Sequence, residues 1–452
     1  MHEKKLRTTK LLYINRYFYL AETKSEQQST RRKKETKTSV TASPATPSGV
    51  QILSITTNSV EVKVTLSAGR YDGLRVQLYR GQGSTPVSSW IKNVTAETVN
   101  NGDQKTITVS GLSPSLTPGV QYTVRVSTRS RTMFSGLSNR SNLKTLAPAT
   151  PSGVQILSIT TSSVTVKVTL SAGKYNGLRV RMYRGSTQVS SWIKDVTAER
   201  VNNGTIRTIT VSNLSPALTP GAEYTVRVST RSGSKFSGLS DWSNLKTVAP
   251  SKPTLISVEE APSGGIQVKW QSGGGLLNKY ILTVKPSGGT EFTEEKTVSG
   301  NPPGQQNVQV SRASDKGQTY TVTVTAKSNG VPSLSSEAKS VTLAPATPSG
   351  VQILSITTSS VTVKVTLSAG KYNGLRVRLY RGSTQVSSWI KDVTAERVNN
   401  GTIRTITVSN LSPALTPGAE YTVKVSTRSG SKFSGLSDWS NLKTVGENIW
   451  FI

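Results

Sequence analysis

The residue types that could carry out catalysis are few in this chain, and their spacing does not suit it. The chain has no Cys, and its single His is His2. Thiolate and imidazole chemistry is therefore excluded beyond that residue, as are metal sites built on those ligands. Glu259-Glu260 and Glu294-Glu295 are adjacent carboxylate pairs. Neighbouring residues of a strand point to opposite faces, so neither pair should act as a facing acid and base.

Two glycine-rich segments also lack the context that chemistry would need. Gly81-Gln82-Gly83 and Gly273-Gly274-Gly275 are not placed between a strand and a helix, which a phosphate-binding loop requires. We interpret both segments as hairpin turns. The sequence therefore predicts a protein that is not an enzyme and that uses no cofactor and no metal.

Charge is the most informative chemical feature of the sequence. The 452 residues include 55 Lys and Arg against 24 Asp and Glu, for a net charge of +31. Such an excess predicts an acidic or polyanionic partner and salt-dependent binding. The excess is uneven, because residues 249–343 hold nine basic and seven acidic residues, whereas residues 147–248 and 344–446 each hold twelve and four.

Basic residues at alternate strand positions predict a cationic sheet face in three parts of the chain. The matching positions in residues 249–343 are Ile281, Thr283 and Thr321 or Thr323, which are uncharged. The alternative interpretation is that these charges serve only solubility and the protection of sheet edges. The candidate residues of the cationic face are Arg75, Arg125, Arg179, Arg181, Arg227, Arg376, Arg378 and Lys424.

A repeat of about a hundred residues organises the chain. Pro151–Val248 returns as Pro348–Val445 with two changes, Met182 to Leu379 and Arg227 to Lys424. A looser copy occupies residues 47–146, and a divergent copy lies between the two near-identical ones. A period of this length indicates tandem domains, because solenoid repeats are only about 20–50 residues long.

Within each repeat, apolar and polar residues alternate as they do in half-buried strands. Val164, Val166, Val168 and Leu170 share one face, with Thr and Lys between them. About seven short strands of this kind per hundred residues, without helical periodicity, are typical of a β-sandwich. The sequence therefore predicts an all-β fold.

Each repeat resembles a fibronectin type III domain. The N-terminal Pro, the alternating strand after it and the segment Leu218–Tyr224 match the pattern of that family, as does the closing segment Leu239–Ser243. The resemblance implies a tyrosine corner, in which the Tyr224 hydroxyl bonds to nearby backbone. Residues 249–343 keep the usual core tryptophan of the family at Trp270, whereas the other repeats place Val64, Val168 and Val365 at that position.

These features predict four tandem fibronectin type III-like sandwiches between two terminal segments. The short linkers contain Pro, which predicts a semi-rigid rod. The predicted divisions are a basic tail at 1–43, sandwiches at 44–146, 147–248, 249–343 and 344–446, and an apolar tail at 447–452.

The two tails are candidate docking segments. In the first, Leu11–Leu20 is apolar and aromatic. We interpret it as an anchor that docks on a partner; the alternatives are the core of a signal peptide and an unanchored tail. The second would fold back on the fourth sandwich or dock into a neighbour. The candidate anchor residues are Leu11, Leu12, Tyr17, Phe18, Arg31, Arg32, Lys33, Lys34, Trp450 and Phe451.

Two binding modes are not expected from the sequence. Sequence-specific recognition of nucleic acid has no recognition helix to support it, and aromatic residues make up only 6% of the chain. A transmembrane segment is not expected either, because the chain has no run of 18 apolar residues.

The predicted function is that of a structural or interaction protein in a large assembly. We expect a virus particle first, with the chain as a minor capsid or capsid-associated fibre protein. Its expected partners are acidic surfaces of other proteins, with a polyanion as a further candidate. Near-identical repeats favour this interpretation, because they build length. The alternative is a secreted adhesion, matrix or polysaccharide-binding protein at the cell surface, which the family resemblance implies.

Overall fold

The computed structural model describes residues 43–67, 69, 71–95, 103–197, 205–394 and 402–446. These residues form β-sandwiches, each made of one three-stranded and one five-stranded antiparallel sheet, which confirms the predicted fold class. They divide into two compact units. The first contains the first sandwich with residues 172–174 and 232–236, and the second contains the remainder of the described chain.

The first sandwich has a three-stranded sheet of order β1-β2-β5 and a five-stranded sheet of order β4-β3-β6-β7, in which β8 also pairs with β6. A 3-10 turn at Ser88–Trp90 precedes β4. The last strand is split into the short pieces β7 and β8, so the count is eight, against about seven predicted. The strands are β1 (Ser48–Ile55), β2 (Val60–Thr65), β3 (Gly73–Arg80), β4 (Ile91–Thr95), β5 (Gln104–Val109), β6 (Gln121–Ser130), β7 (Met133–Phe134) and β8 (Lys144–Thr145).

The second sandwich has the same strand order as the first. This agrees with its sequence, which resembles that of the first sandwich and is nearly identical to that of the fourth. Its three-stranded sheet is β13-β10-β9, and its five-stranded sheet is β12-β11-β14-β15 with β16 on β14. The strands are β9 (Ser152–Ile159), β10 (Val164–Leu170), β11 (Gly177–Arg184), β12 (Thr187–Thr197), β13 (Thr205–Val211), β14 (Glu223–Ser232), β15 (Lys235–Phe236) and β16 (Lys246–Thr247).

The third and fourth sandwiches keep this order despite the divergent sequence of the third. The strands of the third are β17 (Thr254–Glu260), β18 (Ile266–Gln271), β19 (Leu277–Pro286), β20 (Phe292–Gly300), β21 (Gln305–Val310), β22 (Thr319–Ser328), β23 (Val331–Pro332) and β24 (Lys339–Thr342). Those of the fourth are β25 (Ser349–Ile356), β26 (Val361–Leu367), β27 (Gly374–Arg381), β28 (Thr384–Thr394), β29 (Thr402–Val408), β30 (Glu420–Ser429), β31 (Lys432–Phe433) and β32 (Lys443–Thr444).

Each sandwich has its own hydrophobic core between its two sheets. In the second, Val164, Val166, Val168 and Leu170 are all buried, as the alternation along β10 predicts. The predicted tyrosine corner is also present, because the Thr219 N–H donates to the Tyr224 hydroxyl at 2.9 Å. A bond of the same kind, from a backbone N–H to a tyrosine hydroxyl, recurs in the other three sandwiches.

The core tryptophan comes from a different element in three of the sandwiches: the 3-10 turn in the first (Trp90), β12 in the second and β28 in the fourth (Trp389). In the third, Trp270 on β18 is buried edge-on against Tyr280, with ring centroids 5.1 Å apart. Where the second sandwich has Val168 instead, Trp192 on β12 fills the core. Its ring lies edge-on to the corner residue Tyr224 at 5.4 Å, and its indole N–H donates to the Pro216 carbonyl at 3.0 Å. The substitution at the family position is therefore compensated within the same core.

An asparagine side chain closes one sheet edge in the first, second and fourth sandwiches. The Ile156 N–H of β9 donates to Asn244 Oδ1 at 2.7 Å, and Asn244 Nδ2 donates to the Ile156 carbonyl at 3.3 Å. Asn142 and Asn441 make the same two bonds in the first and fourth sandwiches. Because both backbone groups are satisfied, another strand cannot pair with the edge at this point.

Within the second unit, consecutive sandwiches are joined by the same two kinds of hydrogen bond, in which a backbone N–H and a serine hydroxyl each donate to a backbone carbonyl of the preceding sandwich. The Leu276 N–H donates to the Pro220 carbonyl at 2.9 Å, and the Ser328 hydroxyl donates to the Gly221 carbonyl at 2.9 Å. Between the third and fourth sandwiches, the Lys371 N–H donates to the Lys316 carbonyl and the Ser429 hydroxyl to the Gly317 carbonyl. These contacts are consistent with short linkers, because each ties a loop of one sandwich to the next.

The interpretation of Gly273-Gly274-Gly275 as a hairpin turn was wrong. This segment joins β18, in one sheet, to β19, in the other, and so connects the two layers of the sandwich. Gly275 has a φ of +97°, and an added Cβ would lie 2.5 Å from the Pro220 carbonyl oxygen. The glycine therefore permits close approach of the second sandwich, a role that composition alone did not indicate.

Candidate functional site

The predicted cationic residues of the second sandwich lie together on the five-stranded sheet. Arg179 and Arg181 are on β11 and Arg227 is on the adjacent strand β14, where Arg181 and Arg227 are directly opposite each other. The intervening residues of both strands are buried, so the three arginines lie on the sheet face away from the core. All three are half-buried, because their side chains lie along the sheet surface.

The fourth sandwich repeats this arrangement, and the first sandwich has part of it. Arg378 on β27 lies opposite Lys424 on β30, with Arg376 two residues before it. In the first sandwich Arg125 on β6 lies opposite Gln77, not opposite a second cation. The structure thus brings the predicted residues together within each sandwich, and the like-charge pair is specific to the second and fourth.

An aspartate on the neighbouring strand holds Arg179. Arg179 Nε and Nη2 donate to the two carboxylate oxygens of Asp195 at 2.6 and 2.8 Å. This hydrogen bonding holds the pKa of Asp195 below its usual value. Arg376 and Asp392 form the same fork in the fourth sandwich, and the pKa of Asp392 is likewise lowered by its bond to Arg376. In the first, Arg75 Nε donates to Asn93 at 3.2 Å instead.

These forks predict an acid-dependent stability. A carboxylate whose pKa is depressed by folding stabilises the protein above its unfolded pKa, and this contribution is lost as pH falls through the folded pKa. Replacing Asp195 and Asp392 with Asn should lower the free energy of unfolding near pH 7 by up to about 1 kcal/mol per site, because the pairs are partly exposed. The difference from the unaltered protein should shrink steadily below about pH 4. Urea unfolding across this range measures it.

The matched control for that comparison is Asn93→Asp, which introduces the missing carboxylate beside Arg75. This variant should gain acid-dependence in the first sandwich. A stability difference between the Asp195 and Asp392 variants and the unaltered protein that is the same at every pH would contradict the ion-pair account.

Aromatic rings are interleaved with the cations, which the sequence interpretation missed. The Arg227 guanidinium carbon lies 5.0 Å from the Trp242 ring centroid, and Trp242 contacts Tyr183 edge-on at 4.6 Å. Trp242 nevertheless remains 49% exposed. Trp242 belongs to the closing segment Leu239–Ser243, which the sequence analysis used only as evidence for the family resemblance. The sequence did not show that this segment lies close to β14, so the tryptophan was not included in the site.

The fourth sandwich has the same aromatic arrangement, and the first has a variant of it. Lys424 Nζ lies 4.1 Å from the Trp439 ring centroid, and Trp439 contacts Tyr380 at 4.8 Å. In the first sandwich Arg140 takes the position of the tryptophan, with its guanidinium 4.6 Å from the Tyr79 ring centroid. A half-exposed tryptophan beside a cation that forms no salt bridge among the described residues is thus a feature of the second and fourth sandwiches.

The third sandwich does not have this face. Ile281 and Thr283 on β19 occupy the positions of Arg179 and Arg181, and the register places Thr323 opposite Thr283. Thr323 is therefore the counterpart of Arg227, which leaves Thr321 out. Lys279 and Glu295 form an ion pair on this sheet, with atoms 2.8 Å apart.

The remaining sequence candidates show no constellation for catalysis. Glu259 and Glu260 contact different lysines, Lys269 and Lys316, as expected for neighbours on opposite faces of β17. No group of His, Asp and Glu residues suited to a metal occurs in the described ranges. In the same ranges, no helix is long and apolar enough to cross a membrane. The candidate anchors Leu11, Leu12, Tyr17, Phe18, Arg31, Arg32, Lys33, Lys34, Trp450 and Phe451 all lie outside the described residues.

Comparison with known proteins identifies the family of the third sandwich. The profile of the fibronectin type III domain matches residues 251–339. No curated protein matches the sequence. A tetra-tandem repeat from the extending region of a large adhesion protein is similar at 16% identity, with a TM-score of 0.35, over 88% of this chain and 99% of that one. A two-domain fibronectin type III segment of chicken tenascin is similar at 17% identity, with a TM-score of 0.30, over 43% and 99%.

Proposed function

We propose that this chain, whose described residues form tandem β-sandwiches of which the third matches the fibronectin type III domain, is a non-enzymatic structural protein that bridges or decorates a large assembly. The cationic faces of the first, second and fourth sandwiches carry this proposal. Positive faces with few internal counter-ions attract acidic surfaces and speed association with them. The third sandwich, with uncharged residues at the matching positions, acts as a spacer.

The setting that we propose first is a virus particle, with the chain as a minor capsid or capsid-associated fibre protein. Near-identical second and fourth sandwiches support a length-building role, since the same contact face is presented twice. Residues 1–43 carry eleven basic against four acidic residues, and we propose that they dock the array onto an acidic part of the particle.

A second setting, a secreted adhesion or matrix protein, is favoured by the glycosylation signals. Asn93 and Asn139 each begin an Asn-X-Ser/Thr sequence, and both side chains are exposed, so a glycosyltransferase could reach them. The similar signals at Asn203 and Asn400 lie outside the described residues.

Intact mass and N-terminal sequence of the native protein, taken from fractionated source material, distinguish the two settings. We expect Met1 to be retained, no glycan mass at Asn93 or Asn139, and recovery in a dense particle fraction. A protein that starts near Ala21, with glycan mass and in a soluble or matrix fraction, would refute the particle setting in favour of secretion.

A further inference from the structure

We propose that the cationic faces of the second and fourth sandwiches bind a linear polysaccharide that carries carboxylate or sulfate groups. The inference rests on the cationic faces of the proposed function, and it adds a ligand class and a set of contact residues. These residues are Arg181, Arg227 and Trp242 in the second sandwich and Arg378, Lys424 and Trp439 in the fourth.

The first reason is a pair of like charges on a face that holds more cations than carboxylates. Arg181 and Arg227 are directly opposite each other on adjacent strands, a placement that disfavours folding unless an anion offsets it. Among the described residues neither forms a salt bridge. Asp195 on this face accepts hydrogen bonds from both Nε and Nη2 of Arg179, and it also attracts Arg181 without a salt bridge. One carboxylate thus faces three cations, so an external acidic group would offset the remaining positive charge, and the planar guanidinium of arginine suits carboxylate and sulfate oxygens.

The second reason is the exposed tryptophan beside this pair. Trp242 stays half-exposed although Arg227 and Tyr183 both contact its ring. The C–H groups of a sugar ring are apolar, and an indole offers them a large, rigid apolar surface at little entropic cost. Charge on one side and an aromatic surface on the other match a sugar that bears an acidic substituent.

The geometry favours a polysaccharide over the two other polyanions. Single-stranded nucleic acid is bound by several aromatic rings that stack successive bases, whereas each of these faces has one exposed tryptophan. A protein held by this face alone would need about 800 Å² per side with an apolar centre, whereas the charge attraction to acidic surfaces in the proposed function needs no such centre. Two near-identical sites suit a polymer that repeats one unit, because one chain can engage both.

Binding of the full chain to dextran sulfate, polygalacturonate, neutral dextran and single-stranded DNA, at a series of salt concentrations, tests the proposal. Arg181→Gln with Arg378→Gln should weaken binding to the preferred acidic polysaccharide about tenfold, because a charge-assisted bond is lost at each site. The matched control is Arg184→Gln with Arg381→Gln. It removes the same charge from exposed positions on the same strands. These positions lie an odd number of residues from Arg181 and Arg378, so they do not share their alternation, and we expect less than a twofold loss of affinity.

The aromatic contribution is tested by Trp242→Arg with Trp439→Arg. This pair copies the first sandwich, where Arg140 packs on Tyr79, so it should fold. Although it adds positive charge, affinity for the polysaccharide should fall, most visibly at high salt where charge attraction is screened. Preference for dextran sulfate identifies sulfate as the recognised group, and preference for polygalacturonate identifies carboxylate.

Three results would overturn the site. They are equal losses for the Arg181 and Arg184 pairs, undiminished binding by the tryptophan variants, or tighter binding to single-stranded DNA than to either acidic polysaccharide. Each would leave a general attraction to polyanions intact, so the proposed function would survive. The fraction in which the native protein is found tests that function separately.

Discussion

Replacing Trp192 with Ala is expected to unfold the second sandwich at a lower temperature than the other three. The residue is 6% exposed, packs edge-on against Tyr224 and donates its indole N–H to the Pro216 carbonyl. Removing a buried tryptophan costs about 3–5 kcal/mol in the free energy of unfolding, from lost transfer energy and the cavity that remains. A domain of this size is stable by only about 5–15 kcal/mol, so this loss is large.

Calorimetry of the full chain measures this effect, because one of several overlapping transitions should move down by about 10 °C or more. Trp389→Ala should shift a transition by a similar amount, since the fourth sandwich has the same contacts. Trp242→Ala is the control, because that ring is 49% exposed and its loss leaves no enclosed cavity. If Trp192→Ala shifted the transition no more than this control, the relocated tryptophan would not be a core residue.

The fold was predictable from the sequence because its determinants are local. Alternation along segments such as Val164–Leu170 assigns strands and their buried faces without knowledge of distant residues. The tyrosine corner was equally accessible, since Tyr224 bonds to a backbone group only five residues before it. Both features depend on neighbours in sequence, so pattern and family resemblance suffice for them.

The position of the core tryptophan was not predictable in this way. The family pattern marks Val168 as atypical, but it does not indicate that Trp192, 24 residues later, enters the same core. Three-dimensional proximity to Tyr224 decides the matter, and that proximity depends on how the two sheets pack. A core tolerates such redistribution when its total volume is kept, so a large side chain lost from one strand can be offset by one from another.

The candidate site was predictable in position but not in chemistry. Alternation predicted that Arg179, Arg181 and Arg227 share one face, and in the register of β11 and β14 Arg181 lies opposite Arg227. Two of their partners, Asp195 and Trp242, come from other strands and loops, so spacing along β11 or β14 does not reveal them. These partners decide which cations are neutralised within the fold and which are left for a ligand.

Replacing Gly317 with Ala is expected to release the third sandwich from the fourth. Gly317 has a φ of +72°, and an added Cβ would overlap the Lys371 carbonyl oxygen. The Lys371 N–H, which donates to the Lys316 carbonyl at 2.9 Å, should lose this partner. Amide hydrogen exchange at Lys371 should therefore become at least about tenfold faster, which corresponds to a loss of about 1.4 kcal/mol at the junction. Protease cleavage within the linker Ala344–Thr347 should increase in parallel.

The control variant Gly430→Ala distinguishes two effects of replacing Gly317: the clash of the new Cβ with Lys371, and the strain of an alanine at positive φ. Gly430 has a φ of +56°, but no atom lies within 4 Å of an added Cβ. Both variants therefore place an L-residue at a positive φ, at a cost of about 1 kcal/mol, and only Gly317→Ala disturbs the neighbouring sandwich. Equal exchange at Lys371 in the two variants would show that the junction contact contributes nothing to holding the sandwiches together. Faster exchange in Gly317→Ala alone would establish that a glycine selected for close approach, and not the proline-containing linker by itself, restrains this junction.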